Sequence, residues 1–219
     1  MIDPIEVQFK TISTSWGIQQ ELKRLSSLEL LSFDVEARGL YTPEERDKAS
    51  NLLKDGDFKY TEKKDLLLIS NSSGLSHPSL VRTTHFIFGE SDKFSTVLVT
   101  ENFNAELMVW RKLVDFKTLL VIHNSLYDLK ICHQRTGRLP ENYVDTALMA
   151  KVLINDANNM NSRTGLKHLM GSYYAPAWSL FEDYDNPNLR DPKFLSYAAI
   201  DGAATYKLWE LLQEEMANE

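Results

Sequence analysis

Apolar positions recur along this chain with two different periods, near two in several short stretches and near 3.6 in several longer ones. Residues 5–12 alternate loosely and read as an opening strand. Residues 16–25 have helical spacing, with Ser13, Thr14 or Ser15 as caps. The apolar run 28–33 reads as a core strand that delivers Asp34 and Glu36 at its end. Thr42-Pro43-Glu44-Glu45 has the composition of a helix start, with proline just inside the cap and acids in the first turn. That helix is expected to close near Asp55-Gly56-Asp57. From there to about Arg82 the pattern is irregular and polar, with Gly74 and Pro78 as punctuation, so 41–82 reads as an insertion or long flap.

Regular structure is expected to resume with strands at 85–88 and 95–99, joined by a turn at Gly89-Glu90-Ser91-Asp92. A helix over 104–114 precedes a buried strand at 118–122. Helices follow at 126–135, closed by Gly137, then at 145–153 and 164–170. The stretch 192–216 is one bent helix or two. Strands interleaved with helices, then a helical finish, predict an α/β fold with a mixed central β-sheet flanked by helices, in one domain spanning 1–219.

Composition narrows the setting. With 43% hydrophobic and 25% charged residues among 219, the chain fits an ordinary soluble globular protein. Its longest apolar runs, such as 66–69 and 119–122, are far too short to span a bilayer, so no membrane is expected. Met1-Ile2-Asp3-Pro4 puts an acid and a proline where a leader would be basic and apolar. The single cysteine, Cys132, excludes an internal disulfide and suits a reducing cytoplasm; its apolar neighbours give it a packing role. A net charge of −7 argues against tight nonspecific binding of duplex nucleic acid. It does not argue against a nuclease whose acids are neutralised by metal, since two divalent cations return about +4 to four carboxylates.

Three short motifs carry candidate chemistry. Phe33-Asp34-Val35-Glu36 puts two carboxylates at i and i+2 of a strand, hence on one face, although such a pair is equally a solvated strand end. His123-Asn124-Ser125-Leu126-Tyr127-Asp128 follows a buried strand directly and opens a helix, where α/β folds collect ligands. There, Ser125 with Asp128 also has the form of a capping box. Tyr197-Ala198-Ala199-Ile200-Asp201 stacks a phenol and a carboxylate on one helical face, a pattern also met in a core tyrosine beside a surface acid. Their joint occurrence, in this order, is what points to two-metal phosphoryl chemistry.

Together these motifs resemble the three exonuclease motifs of the DEDD superfamily in its tyrosine-bearing branch, similar to the proofreading exonuclease domain of family A DNA polymerases and to ribonuclease D. The resemblance runs over about 5–212. It implies a ribonuclease H-like fold and a 3′→5′ exonuclease using two divalent cations, Mg²⁺ or Mn²⁺. Asp34, Glu36, Asp128 and Asp201 would be the metal ligands, with Asp34 bridging both ions, and Tyr197 would orient the attacking water. Leu40 would wedge beside the terminal base, Asn124 and Tyr127 would touch its phosphate or sugar, with Tyr127 equally readable as a core residue, and Phe181 would pack near the 3′ end. Val144-Asp145-Thr146 matches the family's Asp-Thr pair, and Thr164-Gly165-Leu166-Lys167-His168-Leu169 resembles its Leu-Lys-x-Leu helix. For His123 a structural hydrogen bond is expected rather than a ligand role.

Implied partners are single-stranded DNA 3′ ends, with a polymerase on a separate chain as in a virus or phage acting in the host cytoplasm. Two other readings stay open: an exoribonuclease of the ribonuclease D type, with RNA as partner, and a non-catalytic interaction module on the same fold.

Overall fold

A computed structural model of the chain describes residues 6–39, 81–154, 164–179 and 188–218. Six strands form one mixed sheet in the order β1-β4-β3-β2-β5-β6. They are β1 (Gln8–Ile12), β2 (Leu30–Gly39), β3 (Val81–Ser91), β4 (Phe94–Val99), β5 (Leu119–Ile122) and β6 (Tyr143–Asp145). β2 and β3, and β3 and β4, pair antiparallel; β1 runs parallel to β4, and β2, β5 and β6 run parallel. The helices are α1 (Ser15–Leu25), α2 (Phe103–Leu113), α3 (Leu126–Thr136), α4 (Thr146–Ile154), α5 (Leu166–Tyr173) and α6 (Pro192–Asn218), with a 3₁₀ turn at Pro176–Ser179. This is the α/β architecture with a mixed central sheet that the pattern predicts, and the ribonuclease H-like fold that the motif resemblance implies.

The alternation in β2 divides the molecule. Leu31, Phe33 and Val35 point to one face, where they join Phe86, Phe88 and Leu98 of the sheet and Ile18, Leu22, Val109, Trp110 and Ile131 of α1, α2 and α3. Phe33 packs edge-on against Trp110 at 5.8 Å between ring centroids. Ser32, Asp34 and Glu36 point to the other face, which α6 covers. Cys132 is fully buried among apolar neighbours, the packing role expected of it.

α6 lies close enough to the sheet to touch it with backbone. Ser32 Oγ donates to the Gly202 carbonyl at 2.6 Å and accepts from the Gly89 N–H at 3.1 Å. Ser95 Oγ donates to the Ala199 carbonyl at 2.8 Å. A Cβ added at Gly89 would stand 2.4 Å from the Gly202 oxygen, so glycine at this crossing is a steric requirement.

Several expectations are corrected. β2 does not end at Phe33 but runs ten residues, to Gly39. Its pairing with β5 stops at Phe33–Ile122, while pairing with β3 continues through Asp34–Ile87 and Glu36–His85. The acids therefore sit in mid-strand and yet clear the carboxyl end of β5. The turn expected at Gly89–Asp92 is shorter, because β3 bulges between Gly89 and Ser91 and continues to Ser91. Asp145 does not begin a helix; it ends β6, and α4 starts at Thr146. α6 is one helix of 27 residues. The helix expected from Thr42 lies outside the described residues, as does the 41–82 insertion except for Val81 and Arg82, which already belong to β3. Among the described residues no helix is long and apolar enough to cross a membrane.

Candidate active site

A cleft of about 410 Å³ opens where β2, the end of β5, the start of α5 and the middle of α6 meet. Asp34, Val35 and Glu36 supply its strand side. Tyr197, Asp201 and Thr205, at i, i+4 and i+8 of α6, supply its helix side. His123 and the segment from Gly165 to His168 complete the lining.

Carboxylate oxygens of Asp34, Glu36 and Asp201 lie within 4.8 Å of one another. Asp34 and Glu36 are partly exposed, and Asp201 is buried. Three hard oxygen donors converging on one point suit a divalent cation of the Mg²⁺ or Mn²⁺ kind and would be a poor site for a soft metal. The electrostatics agree with that fit. Desolvation, then the neighbouring charge of Glu36, pushes the Asp34 carboxyl up to about 7. Asp128 is buried and is held well above its usual range by burial, then by the charges of Asp34, Glu36 and Asp145. Like charges gathered out of water are costly until a cation joins them.

Asp128 lies outside the three-acid convergence and does not line the cleft, but it is close enough to feel Asp34 and Glu36. Its helix is held by a buried pair in which Arg135 Nε donates to Glu106 Oε1 at 2.9 Å, tying α3 to α2. The capping-box alternative for Ser125 and Asp128 is not what forms. Ser125 makes no side-chain cap; its N–H and its Oγ both donate to Asp145 Oδ2 at 2.8 Å.

Asp145 is a residue whose structural weight sequence reasoning missed. Its Oδ1 also accepts from Asn124 N–H at 3.1 Å and Ala147 N–H at 2.8 Å. One carboxylate thus caps α4 and pins the β5–α3 loop, in which Asn124 takes the left-handed φ of 55° that asparagine tolerates. Burial opposes its charge, yet the bonds from Ser125, Ala147 and Asn124 keep the carboxyl below the usual range. The signal was present in the Asp-Thr pair, but it read as a helix start.

Tyr127 is 38% exposed, and burial, then Asp128 and Glu36, raise its phenol. Neither Asn124 nor Tyr127 lines the cleft. His123 makes the structural hydrogen bond expected of it, Nδ1 to Thr146 Oγ1 at 2.9 Å, and desolvation lowers it to about 4, so the ring is neutral. Leu40 and Phe181 lie outside the described residues. Thr205 lines the cleft without having been singled out, and the four-residue step from Asp201 was the available signal; Lys167 and His168, quoted for their resemblance to the Leu-Lys-x-Leu helix, were given no part in the site.

A family model of 3′-5′ exonucleases matches residues 93–217. The chain belongs to this 3′-5′ exonuclease family and is a hydrolytic exonuclease. The matched span holds Asp128, Tyr197 and Asp201, while Asp34 and Glu36 reach them through the sheet. Among solved structures the chain is similar to NrnC of Brucella melitensis, with a TM-score of 0.61, 14% identity, and coverage of 97% of this chain and 83% of that one. It is also similar to Escherichia coli RNase D, an exoribonuclease, at TM-score 0.59 and 12% identity, covering 97% of this chain and 46% of the other. The catalytic core of RRP6 from Trypanosoma brucei gives TM-score 0.60 and 12% identity over 100% and 50%. At these identities the likeness is one of fold. No curated protein sequence matches the chain.

Proposed function

We propose that this chain, acting as one domain, removes nucleotides from single-stranded or frayed 3′ ends with two divalent cations, Mg²⁺ or Mn²⁺. The observation that carries the proposal is the convergence of Asp34, Glu36 and Asp201 oxygens within 4.8 Å, in a cleft that also holds Tyr197. Asp34, Glu36 and Asp201 would hold the ions, with Asp128 completing the set from behind. Such ions supply charge to neutralise the leaving 3′ oxygen and lower the pKa of an attacking water. Tyr197 orients that water through its hydroxyl. With an ordinary pKa of about 10, a phenol is a poor base near neutrality, so its part is aim rather than proton removal. Asn124, in the β5–α3 loop, and Tyr127, in the first turn of α3 next to Asp128, are assigned to the terminal nucleotide.

DNA is the first substrate assigned, on the motif resemblance to polymerase proofreading domains, with the end presented by a polymerase on another chain. RNA is a second reading, and the structural neighbours favour it: RNase D is described as an exoribonuclease, and NrnC has been seen bound to pGG. One assay decides. Equal amounts of 5′-labelled single-stranded DNA, DNA duplex with a mismatched 3′ end, and RNA are incubated with Mg²⁺, Mn²⁺ or chelator. A ladder shrinking from the 3′ end of DNA, abolished by chelator, is expected. Shortening of RNA alone moves the assignment to exoribonuclease, and intact substrates under every condition sink the catalytic reading.

A further inference from the structure

The start of α5 brings a cation to the rim of this acidic cleft. Lys167, the second residue of the helix, is partly buried, and its Nζ stands 5.4 Å from the centroid of the Tyr197 ring. The same ring meets Phe194, one turn earlier in α6, at 6.2 Å. Phe194 packs in turn against the buried His85 ring at 4.8 Å, and His85 Nε2 hydrogen-bonds the Leu189 carbonyl at 2.8 Å. Tyr197 is therefore the outer member of a ring column that starts in β3 and reaches Lys167. The approach of Lys167 is itself anchored, because the Thr164 backbone hydrogen-bonds the His123 imidazole, which is tied to Thr146.

We propose that Lys167 is a positioning residue that holds the Tyr197 ring in register above the carboxylates. The proposal rests on the role given to Tyr197 above. An ammonium within about 6 Å of an aromatic centroid is drawn to the ring face by its quadrupole. A hydroxyl that orients water must be kept to within about 0.5 Å of its working place, so each contact that restricts χ1 and χ2 of the ring bears on the rate. Phe194 limits the ring from its own helix, and Lys167 does so from a second one.

The test uses the full chain with Mg²⁺ or Mn²⁺ and four variants: Lys167→Met, Lys167→Arg, Tyr197→Phe, and Tyr197→Phe combined with Lys167→Met. Lys167→Met is expected to lower kcat about 3- to 10-fold, the size of a single ring–cation contact, with KM little changed. Lys167→Arg should recover to within about 2-fold of wild type, because a guanidinium also stacks on rings. In the Tyr197→Phe background, which lacks the hydroxyl, Lys167→Met should add little further loss. In metal-free protein, the ¹⁹F resonance of a fluorotyrosine placed at 197 should shift or broaden with Lys167→Met and stay in place with Lys167→Arg.

Additive losses in the double variant, a change in KM alone, or an unmoved ¹⁹F signal each overturn the proposal. A slow Tyr197→Phe enzyme beside a fully active Lys167→Met enzyme sinks the part given to Lys167 alone. A Tyr197→Phe enzyme at wild-type rate sinks the role of Tyr197, and the use of positioning it goes too.

Discussion

Desolvation beside Glu36, which pushes Asp34 to about 7, sets a pH dependence for the cation-free protein. An acid whose folded pKa exceeds its unfolded value, about 4, binds more protons folded than unfolded between the two. Stability contributed by this group therefore falls as pH rises from about 4 to 7 and is level above that. Chelator-treated protein should show a larger melting temperature at pH 5, relative to pH 8, than an Asp34→Asn variant does. Identical pH dependence in the two proteins would rule this out. Asp34, Glu36 and Asp201 were legible in the sequence through the joint occurrence of the three motifs, since same-face spacing alone left each of them open to a structural reading. The contact of Lys167 with the Tyr197 ring was not, since the Leu-Lys-x-Leu resemblance marks Lys167 only as a helix residue and the ring it meets comes from another helix.

Among elements, the crossing of α6 over the sheet has the least room for change. A Cβ at Gly202 would come 2.7 Å from Ile87 Cγ2 and 3.0 Å from Ser95 Oγ, whereas one at Gly89 would meet Ser32 Oγ at 2.2 Å and Gly202 backbone. Gly89→Ala should cost about 3 kcal/mol, in the upper range for overpacking. Gly202→Ala should cost about 1 kcal/mol, because alanine's better helix propensity offsets part of the clash. Denaturant unfolding compares the two, and equal or absent losses would contradict the close contact. The long periodic helices were legible, including the close of α3 at Gly137, whose φ of 70° is the left-handed stop that glycine favours. β6 was not, because three residues leave no periodicity and Asp145 serves as strand end and helix cap at once. The extension of β2 was written in the alternation Phe33-Asp34-Val35-Glu36-Ala37, but the acids drew attention as an end.

Seen whole, the protein gathers its proposed ligands from sequence positions 34, 128 and 201, which only the assembled sheet and α6 bring together. A cation bound there would engage the folded chain and not the unfolded one. Mn²⁺ titrated into metal-free protein should raise unfolding free energy by mass action, about 2.7 kcal/mol at a hundred times the dissociation constant, with the denaturant slope unchanged. Asp201→Asn should blunt that rise, and an equal rise in both proteins would place the cation elsewhere. The α/β class was readable beforehand from the periods of the longer strands and helices, and the ribonuclease H-like fold from the resemblance of the three motifs. How β2 is flanked, by β3 on one side past the point where β5 stops, was not, because strand pairing is a property of distant segments.

Ser32 lies two residues before Asp34, and Gly202 is the residue after Asp201, so the bond between them sits directly beneath the acid cluster. The spacing between the strand and helix backbones that carry the two carboxylates is consequently gauged by one buried side-chain-to-main-chain bond. Any tolerance of this centre for larger or smaller ionic radii is decided in the packed floor, by a serine hydroxyl that water does not reach.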